Sequence, residues 1–244
     1  FETLTGNKCY VDTFDRNFKF DVEHISLAKK ADIFMIAPAT ANVIAKIANG
    51  IADDMLTTTF LASKCKKIVS PAMNTAMFEN QITQDNIAKL KKYGIGVVEP
   101  QNGLLACGDT GAGKMPEPDF LFDVIEREIA REKDMLGKKV LVTAGATMES
   151  LDPVRFLTNH SSGKMGFAIA KEAMLRGAEV TVVKANTTAE IPNFVKIVEV
   201  SSAKDMFDAV TALSDQQDII VKAAAVADYT PESYVDSKIK KKIG

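Results

Sequence analysis

The chain contains little cysteine and histidine, and its charges nearly cancel. Its 244 residues include three cysteines and two histidines. No Cys-x-x-Cys pair occurs, so neither a disulfide framework nor a zinc site is expected. Thirty basic residues stand against 32 acidic ones, which leaves a net charge of −2. This balance provides no basic surface for nucleic acid or for an anionic membrane.

Long hydrophobic runs are also missing from the sequence. The longest charge-free apolar stretch covers residues 33–45 and contains Pro38, whereas a membrane-spanning helix needs about 20 residues. Residues 1–7 have neither a basic start nor an apolar signal core. We therefore expect a reduced, cytoplasmic chain in which any functional cysteine or histidine acts as a single chemical group.

The sequence alternates short apolar runs with amphipathic segments, which is typical of βαβ units and parallel sheets. The first run is expected to end at Pro38, and Asp119 is expected to cap a helix. A charged segment, 127–133, predicts a boundary between one α/β domain over residues 1–133 and another over 134–244. Strands are predicted at 33–37, 68–69, 97–98, 140–143, 180–183 and 218–221.

Two predicted strands of the first half end in segments that could contact a ligand. Thr40, Ala41 and Asn42 follow the first strand and open a helix, whose N-terminal amides suit a phosphate or the edge of a flavin. The alternative is an ordinary turn in which Thr40 or Asn42 caps the helix. After the second strand, Asn74 offers a donor and an acceptor, and Met77 could contact an apolar ligand stem. The alternative is an asparagine in a turn and methionines in the core.

Two single groups of the first half are candidates for acid–base chemistry. Cys107 is expected in a glycine-rich loop with Gly103, Gly108, Gly111 and Gly113, and it is either a reactive thiol or proton donor or an inert cysteine. His24 precedes a helical segment over 26–30, and it is either catalytic or structural.

The second half has the pattern of a nucleotide site without either standard fingerprint. Residues 143–147 follow a strand, and residues 159–166 open a helix. These segments match neither G-x-G-x-x-G nor the Walker sequence. A run of lysines from Lys238 to Lys242 is either a solvated charge cluster or a site for an anionic ligand.

The motifs taken together are far more specific than any one of them. Glu-His-Ile-Ser-Leu-Ala, Ala-Pro-Ala-Thr-Ala-Asn, Pro-Ala-Met-Asn-x-x-Met and Ala-Cys-Gly-Asp resemble the flavin-dependent cysteine decarboxylases. Thr-Ala-Gly-Ala-Thr, Asn-His-Ser-Ser-Gly-Lys-Met-Gly, Ala-Ala-Val-Ala-Asp-Tyr and Lys-x-Lys-Lys resemble phosphopantothenate–cysteine ligase. In this order, over essentially all 244 residues, they resemble the bifunctional phosphopantothenoylcysteine decarboxylase/phosphopantothenate–cysteine ligases of bacterial coenzyme A synthesis.

This resemblance implies two Rossmann-like parallel-sheet domains, a flavoprotein decarboxylase type followed by a ligase type. In the first, FMN would bind near Thr40, Ala41 and Asn42, and His24 would be the essential histidine. Asn74, with Met77 beside it, would hold the substrate carboxylate, and Cys107 would donate the proton that completes 4′-phosphopantetheine.

In the second domain the resemblance implies ligation of 4′-phosphopantothenate with cysteine through an acyl-cytidylate. Asn159 would help to form that intermediate, and CTP, with Mg²⁺ on its triphosphate, would contact a group of matching residues. That group comprises Ala223, Ala224, Asp228 and Lys238.

The resemblance also implies trimeric decarboxylase domains and dimeric ligase domains, and it predicts that both domains are incomplete. The family's Gly-Gly-Ile-Ala-Ala-Tyr-Lys-like loop for the FMN phosphate is missing, and the chain stops just after the lysines. Two other interpretations stay open. One is an NAD(P)-dependent Rossmann oxidoreductase, although Lys184 stands where a ribose-binding acid would be expected. The other is a non-catalytic regulatory subunit with a flavin-type fold.

Overall fold

The computed structural model describes residues 1–11, 23–104, 108 and 110–239. It divides into two compact units, Phe1–Ile125 and Glu126–Gly244, and each has the α/β architecture with parallel strands that the alternating sequence pattern predicts. No helix in the described part of the chain is long and apolar enough to cross a membrane. The domain boundary after residue 133 remains a prediction.

The first unit is built on a parallel sheet with strand order β1-β2-β3. A separate antiparallel hairpin, β4–β5, follows the sheet. The elements of this unit are α1 (Glu2–Thr5), α2 (Glu23–Lys30), β1 (Ile33–Ala39), α3 (Ala41–Ala48), α4 (Met55–Ala62), β2 (Lys66–Pro71), α5 (Thr75–Glu79), α6 (Gln81–Lys92), β3 (Gly96–Val97), β4 (Gln101–Leu104), β5 (Thr110–Lys114) and α7 (Pro118–Ile129).

Apolar side chains cover both faces of this sheet, because successive residues of a strand point to opposite sides. Val69 packs with residues of α3, α4 and α6, among them Ile44 and Phe60. Its neighbour Ile68 packs instead with Leu121 of α7. The helices on the two faces of the sheet hold β1 and β2 in place, so that the carboxyl ends of these strands lie side by side.

Three local expectations for the first unit are wrong. Strand β1 continues through Pro38 to Ala39, since the proline lies in an edge strand of the described sheet, where no ladder hydrogen bond is lost. Asp119 lies in the first turn of α7 rather than before it, because Pro118 is the first helical residue. The glycine-rich segment around Cys107 is not simply a loop, since Gly103 and Gly111 belong to β4 and β5.

The second unit contains a parallel sheet with strand order β10-β9-β6-β11. A second antiparallel hairpin, β7–β8, interrupts the chain between β6 and the following helix. The elements are β6 (Lys139–Ala144), β7 (Met148–Ser150), β8 (Phe156–Thr158), α8 (Lys164–Leu175), β9 (Glu179–Lys184), β10 (Lys196–Glu199), α9 (Ala203–Ser214) and β11 (Ile219–Lys222).

The strand order of the second sheet reverses at β6. From β6 the chain proceeds through α8 to β9 and β10, and it then returns through α9 to β11 on the other side of β6. Val140 and Val142 pack with α8, whereas the intervening Leu141 packs with Met206 of α9, so the two helices cover opposite faces. The crevice between the carboxyl ends of β6 and β11 is therefore a topological switch point, the usual ligand position in open α/β sheets.

Candidate functional site

The first candidate site lies at the carboxyl ends of β1 and β2. The Thr40 hydroxyl accepts a hydrogen bond from the Val43 N–H at 3.3 Å and caps α3. Ala72 N–H donates to Ala39 O at 3.0 Å, which joins the segment after β2 to the end of β1. The segments that carry Thr40–Asn42 and Asn74 therefore meet at one edge of the sheet. Ala41 is half-buried and Asn42 is exposed.

Asn74 lies where the structure starts a short helix. Its Oδ1 accepts from Ala76 N–H at 2.9 Å, so the side chain caps α5. The capping alternative is thus confirmed for Thr40, whereas Asn74 caps a helix where the sequence suggested a turn. A cap does not exclude a ligand contact by the same side chain. Met77 is 50% exposed on α5, so the alternative that buries it in the core is wrong.

The β4–β5 hairpin packs against the same segment. Met73 N–H donates to Gly113 O at 3.1 Å, and glycine in a strand commonly marks such a close approach of two backbones. The hairpin strands end at Leu104 and begin again at Thr110. Cys107 falls in the connection between them and lies outside the described residues.

His24 is not joined to this edge by any hydrogen bond in the described part of the chain. It is half-buried in the first turn of α2, and this helix packs against α4. The role that the resemblance implies for His24 therefore stays a prediction.

Two buried hydroxyl groups near Asn74 suit a polar ligand. Ser70 Oγ and Thr75 Oγ1 have no hydrogen-bond partner among the described residues. A buried hydroxyl without a partner costs free energy, so such groups commonly mark the place of a bound molecule or water. Both flank the turn that follows β2 at the carboxyl edge, which is where a cofactor with several polar atoms would lie.

A cavity of about 460 Å³ lies elsewhere in the first unit. It lies at the other end of the strands, beside Lys67 near the start of β2 and Ile95 just before β3. None of the predicted site residues lines this cavity. The carboxyl edge thus remains the candidate site in this unit.

The second candidate site lies at the switch point of the second unit. Gly145 follows β6 with φ of 86°, and a Cβ there would be 2.4 Å from Asn186 O. Gly163 caps α8, and a Cβ on Gly166 would be 2.7 Å from Ala144 Cβ and 3.0 Å from Thr143 O. These glycines perform the roles of the dinucleotide fingerprint, which are a tight turn and close packing of a helix on a strand. The β7–β8 hairpin separates them, which is why the sequence does not reveal the fingerprint.

Two threonine hydroxyls connect this turn to the segment after β11. Thr143 Oγ1 accepts from the N–H groups of Ala223 and Ala224, at 3.1 Å in both cases. Thr147 Oγ1 accepts from Ala227 N–H at 2.8 Å. Neither threonine is among the predicted site residues, although both belong to the Thr-Ala-Gly-Ala-Thr motif.

Asn159 joins the same crevice. Its Nδ2 donates to Val226 O at 3.0 Å. The structure therefore brings Asn159, Ala223 and Ala224 together, while Asp228 follows two residues after Val226 and is exposed. A cavity of about 290 Å³ opens beside Ala224, between β11 and α9, and Phe207 and Lys222 contribute to its wall.

Lys238 is exposed at the end of the described chain, and two hydrogen bonds hold the backbone of its neighbour Ile239. Ile239 N–H donates to Asp152 Oδ2 at 3.0 Å, and Arg155 Nη2 donates to Ile239 O at 2.7 Å. Lys240 and the lysines that follow it lie outside the described residues. Asp152 and Arg155 are not among the predicted site residues, and no motif spacing indicates them.

Asp152 is ionised in this arrangement. Burial of its carboxylate opposes ionisation, but hydrogen bonds from Ile239 N–H, the Arg155 side chain and two backbone N–H groups outweigh this effect and hold the pKa of Asp152 well below its usual range. Among the described residues, no cluster of three His, Cys, Asp or Glu side chains could hold a metal ion.

Two family models match the chain in succession. The Flavoprotein model matches residues 1–130, and the model of the DNA/pantothenate metabolism flavoprotein C-terminal domain matches residues 135–244.

Curated relatives match nearly the whole chain. The coenzyme A biosynthesis bifunctional protein CoaBC of Bacillus subtilis (strain 168) is 43% identical over 247 residues, which cover 100% of this chain and 61% of the relative. The protein with the same name from Vibrio vulnificus (strain YJ016) is 47% identical over 240 residues, which cover 98% of this chain and 60% of the relative. The chain thus spans about three fifths of the length of these relatives.

A solved structure of a PPC decarboxylase variant, complexed with pantothenoylaminoethenethiol, is 33% identical to this chain. The match covers 50% of this chain and 70% of that one, with a TM-score of 0.47.

Proposed function

The chain belongs to the flavoprotein family, and from this premise we propose that it is part of a bifunctional enzyme of coenzyme A biosynthesis. The second unit uses CTP to join 4′-phosphopantothenate to cysteine, and the first unit then decarboxylates phosphopantothenoylcysteine to 4′-phosphopantetheine. The observation that carries this proposal is the succession of the two family matches along one chain. Each match coincides with an α/β unit that has a candidate site at the carboxyl ends of its strands.

In the first unit, the residues at the carboxyl edge suit FMN. The N-terminal amides of α3, which begins at Ala41 after Thr40, are a suitable partner for a phosphate or for the polar edge of a flavin. The buried hydroxyls of Ser70 and Thr75 offer further polar contacts near the same edge. When bound, FMN supplies a reversible two-electron oxidation of the substrate, which makes loss of carbon dioxide from the cysteine carboxylate feasible.

The chain's own groups bind and protonate the substrate. Asn74 binds its carboxylate, since an amide donates hydrogen bonds to this group without adding charge. Met77 contacts the apolar part of the substrate from α5, where half of its side chain is exposed. Cys107 donates the final proton, and His24 contributes to the same site.

In the second unit, the switch point suits a nucleoside triphosphate. The close approach of α8 to β6 at Gly166 directs the N-terminal amides of α8 toward a phosphate. The nucleotide contacts Ala223, Ala224 and Asp228, and Asn159 helps to form the acyl-cytidylate. Lys238 stabilises the charge that develops on the leaving pyrophosphate, and Mg²⁺ would add positive charge to the triphosphate when bound.

Substitution of Asn74 by aspartate tests the decarboxylase proposal. Aspartate keeps the oxygen that accepts from Ala76 N–H, so α5 retains its cap, but its charge repels a substrate carboxylate. We expect Asn74→Asp to lower carbon dioxide release from phosphopantothenoylcysteine about 10- to 100-fold, which corresponds to the loss of one hydrogen bond to a charged group. The flavin absorbance of the purified protein should not change.

Asn80→Asp is the matched control, because Asn80 caps α6 through the same kind of bond to Ile82 N–H at 3.0 Å. This variant should keep wild-type activity. Unchanged activity in Asn74→Asp would contradict the assignment of Asn74 to the substrate carboxylate.

Pyrophosphate release tests the ligase proposal. We expect release to require CTP, phosphopantothenate and Mg²⁺ together, and we expect ATP not to replace CTP.

Thr143→Val removes the acceptor for two N–H groups of the 223–224 turn, so the KM for CTP should rise about 10-fold. Thr181→Val, at a half-buried strand position in β9 of the same sheet, should leave it unchanged. Tight binding of NADH without any response to CTP would overturn the proposal and favour a nicotinamide-dependent oxidoreductase.

A further inference from the structure

The two oxygens of the Asp152 carboxylate have separate functions. Oδ1 accepts from the backbone N–H groups of Val154 and Arg155, both at 2.8 Å, and so closes the turn between β7 and β8. Oδ2 accepts from Arg155 Nε at 2.9 Å, from Arg155 Nη2 at 2.6 Å and from Ile239 N–H at 3.0 Å. One oxygen therefore shapes the turn, and the other attaches the turn to a segment that is remote in sequence.

The attachment holds Ile239 on both sides of its backbone. Asp152 Oδ2 binds its N–H, while Arg155 Nη2 binds its carbonyl oxygen at 2.7 Å. Upstream, Val235 N–H donates to Leu151 O at 3.1 Å, so the same turn binds the segment at a second point. The Asp152 side chain is fully buried, and charge-assisted hydrogen bonds in such a place are strong.

Lys238 lies between these two attachment points, one residue before Ile239. A lysine side chain is long and rotates freely, so its ammonium group reaches a fixed place only if its backbone is fixed. We propose that Asp152, together with Arg155, is a positioning residue that holds the 235–239 segment so that Lys238 is directed at the nucleotide. This inference rests on the proposed ligase function, and it adds a residue pair that acts through the backbone of Ile239.

Asp152→Asn is a selective test. The two backbone N–H groups of the turn are donors, so the asparagine side chain orients its oxygen toward them, where Oδ1 lies in the wild type, and the turn is retained. The amide NH₂ then replaces Oδ2 and faces three donors, which breaks the attachment to Ile239. Asp236→Asn is the matched control, because Asp236 is exposed in the same segment.

The first measurement is the rate of tryptic cleavage after Lys238 in the folded protein. We expect Asp152→Asn to accelerate this cleavage at least about 10-fold, in line with the loss of a charge-assisted hydrogen bond, and we expect Asp236→Asn to leave it unchanged. An unchanged rate in Asp152→Asn would overturn the attachment itself. If Asp152→Asn does not fold, Arg155→Lys tests the same attachment, since it removes the guanidinium arm that reaches Ile239 O.

The second measurement separates positioning from a purely structural role. The kcat of CTP-dependent pyrophosphate release should fall in Asp152→Asn and in Lys238→Gln, whereas the KM for phosphopantothenate should not change. The double variant should be no slower than the slower single variant, because a displaced Lys238 has no further contribution to lose. Additive losses would overturn the positioning role. Absence of this activity from the wild-type protein would instead overturn the proposed ligase function, while the cleavage result would still decide whether the attachment exists.

Discussion

At the scale of single residues, carboxylates fix the backbone in both units. Asp54 caps α4 by accepting from Thr57 N–H at 2.8 Å, and the same side chain pairs with Lys46 at 2.9 Å. Burial would raise the pKa of Asp54, but the hydrogen bonds from Thr57 and Lys46 outweigh this effect and lower the pKa from 3.8 to about 2. Asp54, like Asp152, is therefore a charged group whose ionised form the fold stabilises.

The shift at Asp54 predicts how stability depends on pH. Because the folded pKa is the lower one, the stabilisation is fully present above pH 4 and is lost as the pH falls toward 2. The side chain is 39% exposed, so solvent screening reduces the contribution to about 1 kcal/mol. We expect Asp54→Asn to remove this part of the acid dependence while the amide still caps α4, as measured by urea unfolding between pH 2 and pH 6.

Asp53→Asn is the control for this prediction. Asp53 also pairs with Lys46, at 2.6 Å, but it does not cap the helix. Its substitution should leave the fall in the free energy of unfolding at acidic pH close to that of the wild type. Equal effects of the two substitutions would mean that the ion pair, rather than the cap, lowers the pKa of Asp54.

At the scale of secondary structure, periodicity predicts the long elements and misses the short ones. The apolar runs that form β1 and β6 are readable from the sequence and are confirmed as strands, although β1 is only partly buried. Helix α9 begins with a capping box at Ser202 and Asp205. The β4–β5 and β7–β8 hairpins were missed, because their strands are short and because β4 and β5 contain glycine in place of an alternating apolar pattern. Both hairpins lie at the candidate sites, so sequence analysis identified the site segments but not the contacts that organise them.

The packing of α8 on β6 gives a prediction at this scale. A glycine-to-alanine change inside a helix ordinarily stabilises the protein by about 1 kcal/mol. A Cβ on Gly166, however, would meet Ala144 Cβ at 2.7 Å and Thr143 O at 3.0 Å, and neither can yield easily. We expect Gly166→Ala to lower the free energy of unfolding by about 1–2 kcal/mol and to raise the KM for CTP.

Ala168→Gly measures the helix propensity in the same helix, at an exposed position. It should destabilise the protein by about 1 kcal/mol without affecting the KM for CTP. A stabilised Gly166→Ala protein would mean that the helix tolerates the extra methyl group, and the close approach of α8 to β6 would then not require glycine.

At the scale of the whole molecule, two α/β units each have their own core and their own site at the carboxyl ends of parallel strands. The proposed reactions are sequential, since the product of the second unit is the substrate of the first. The roles of His24 and Cys107 depend on the family resemblance, because neither role follows from a contact among the described residues. The switch point of the second unit, in contrast, follows from strand order alone.

Sequential reactions at separate sites predict that two defective variants complement each other. Asn74→Asp should accumulate phosphopantothenoylcysteine from CTP, cysteine and phosphopantothenate, because only decarboxylation is impaired. Lys238→Gln should form little of this intermediate but should decarboxylate it when it is supplied. A mixture of both variants should restore formation of 4′-phosphopantetheine, followed by mass spectrometry, since the intermediate diffuses between molecules. Loss of ligation in Asn74→Asp, or failure of the mixture, would show that the two candidate sites do not work as independent catalysts.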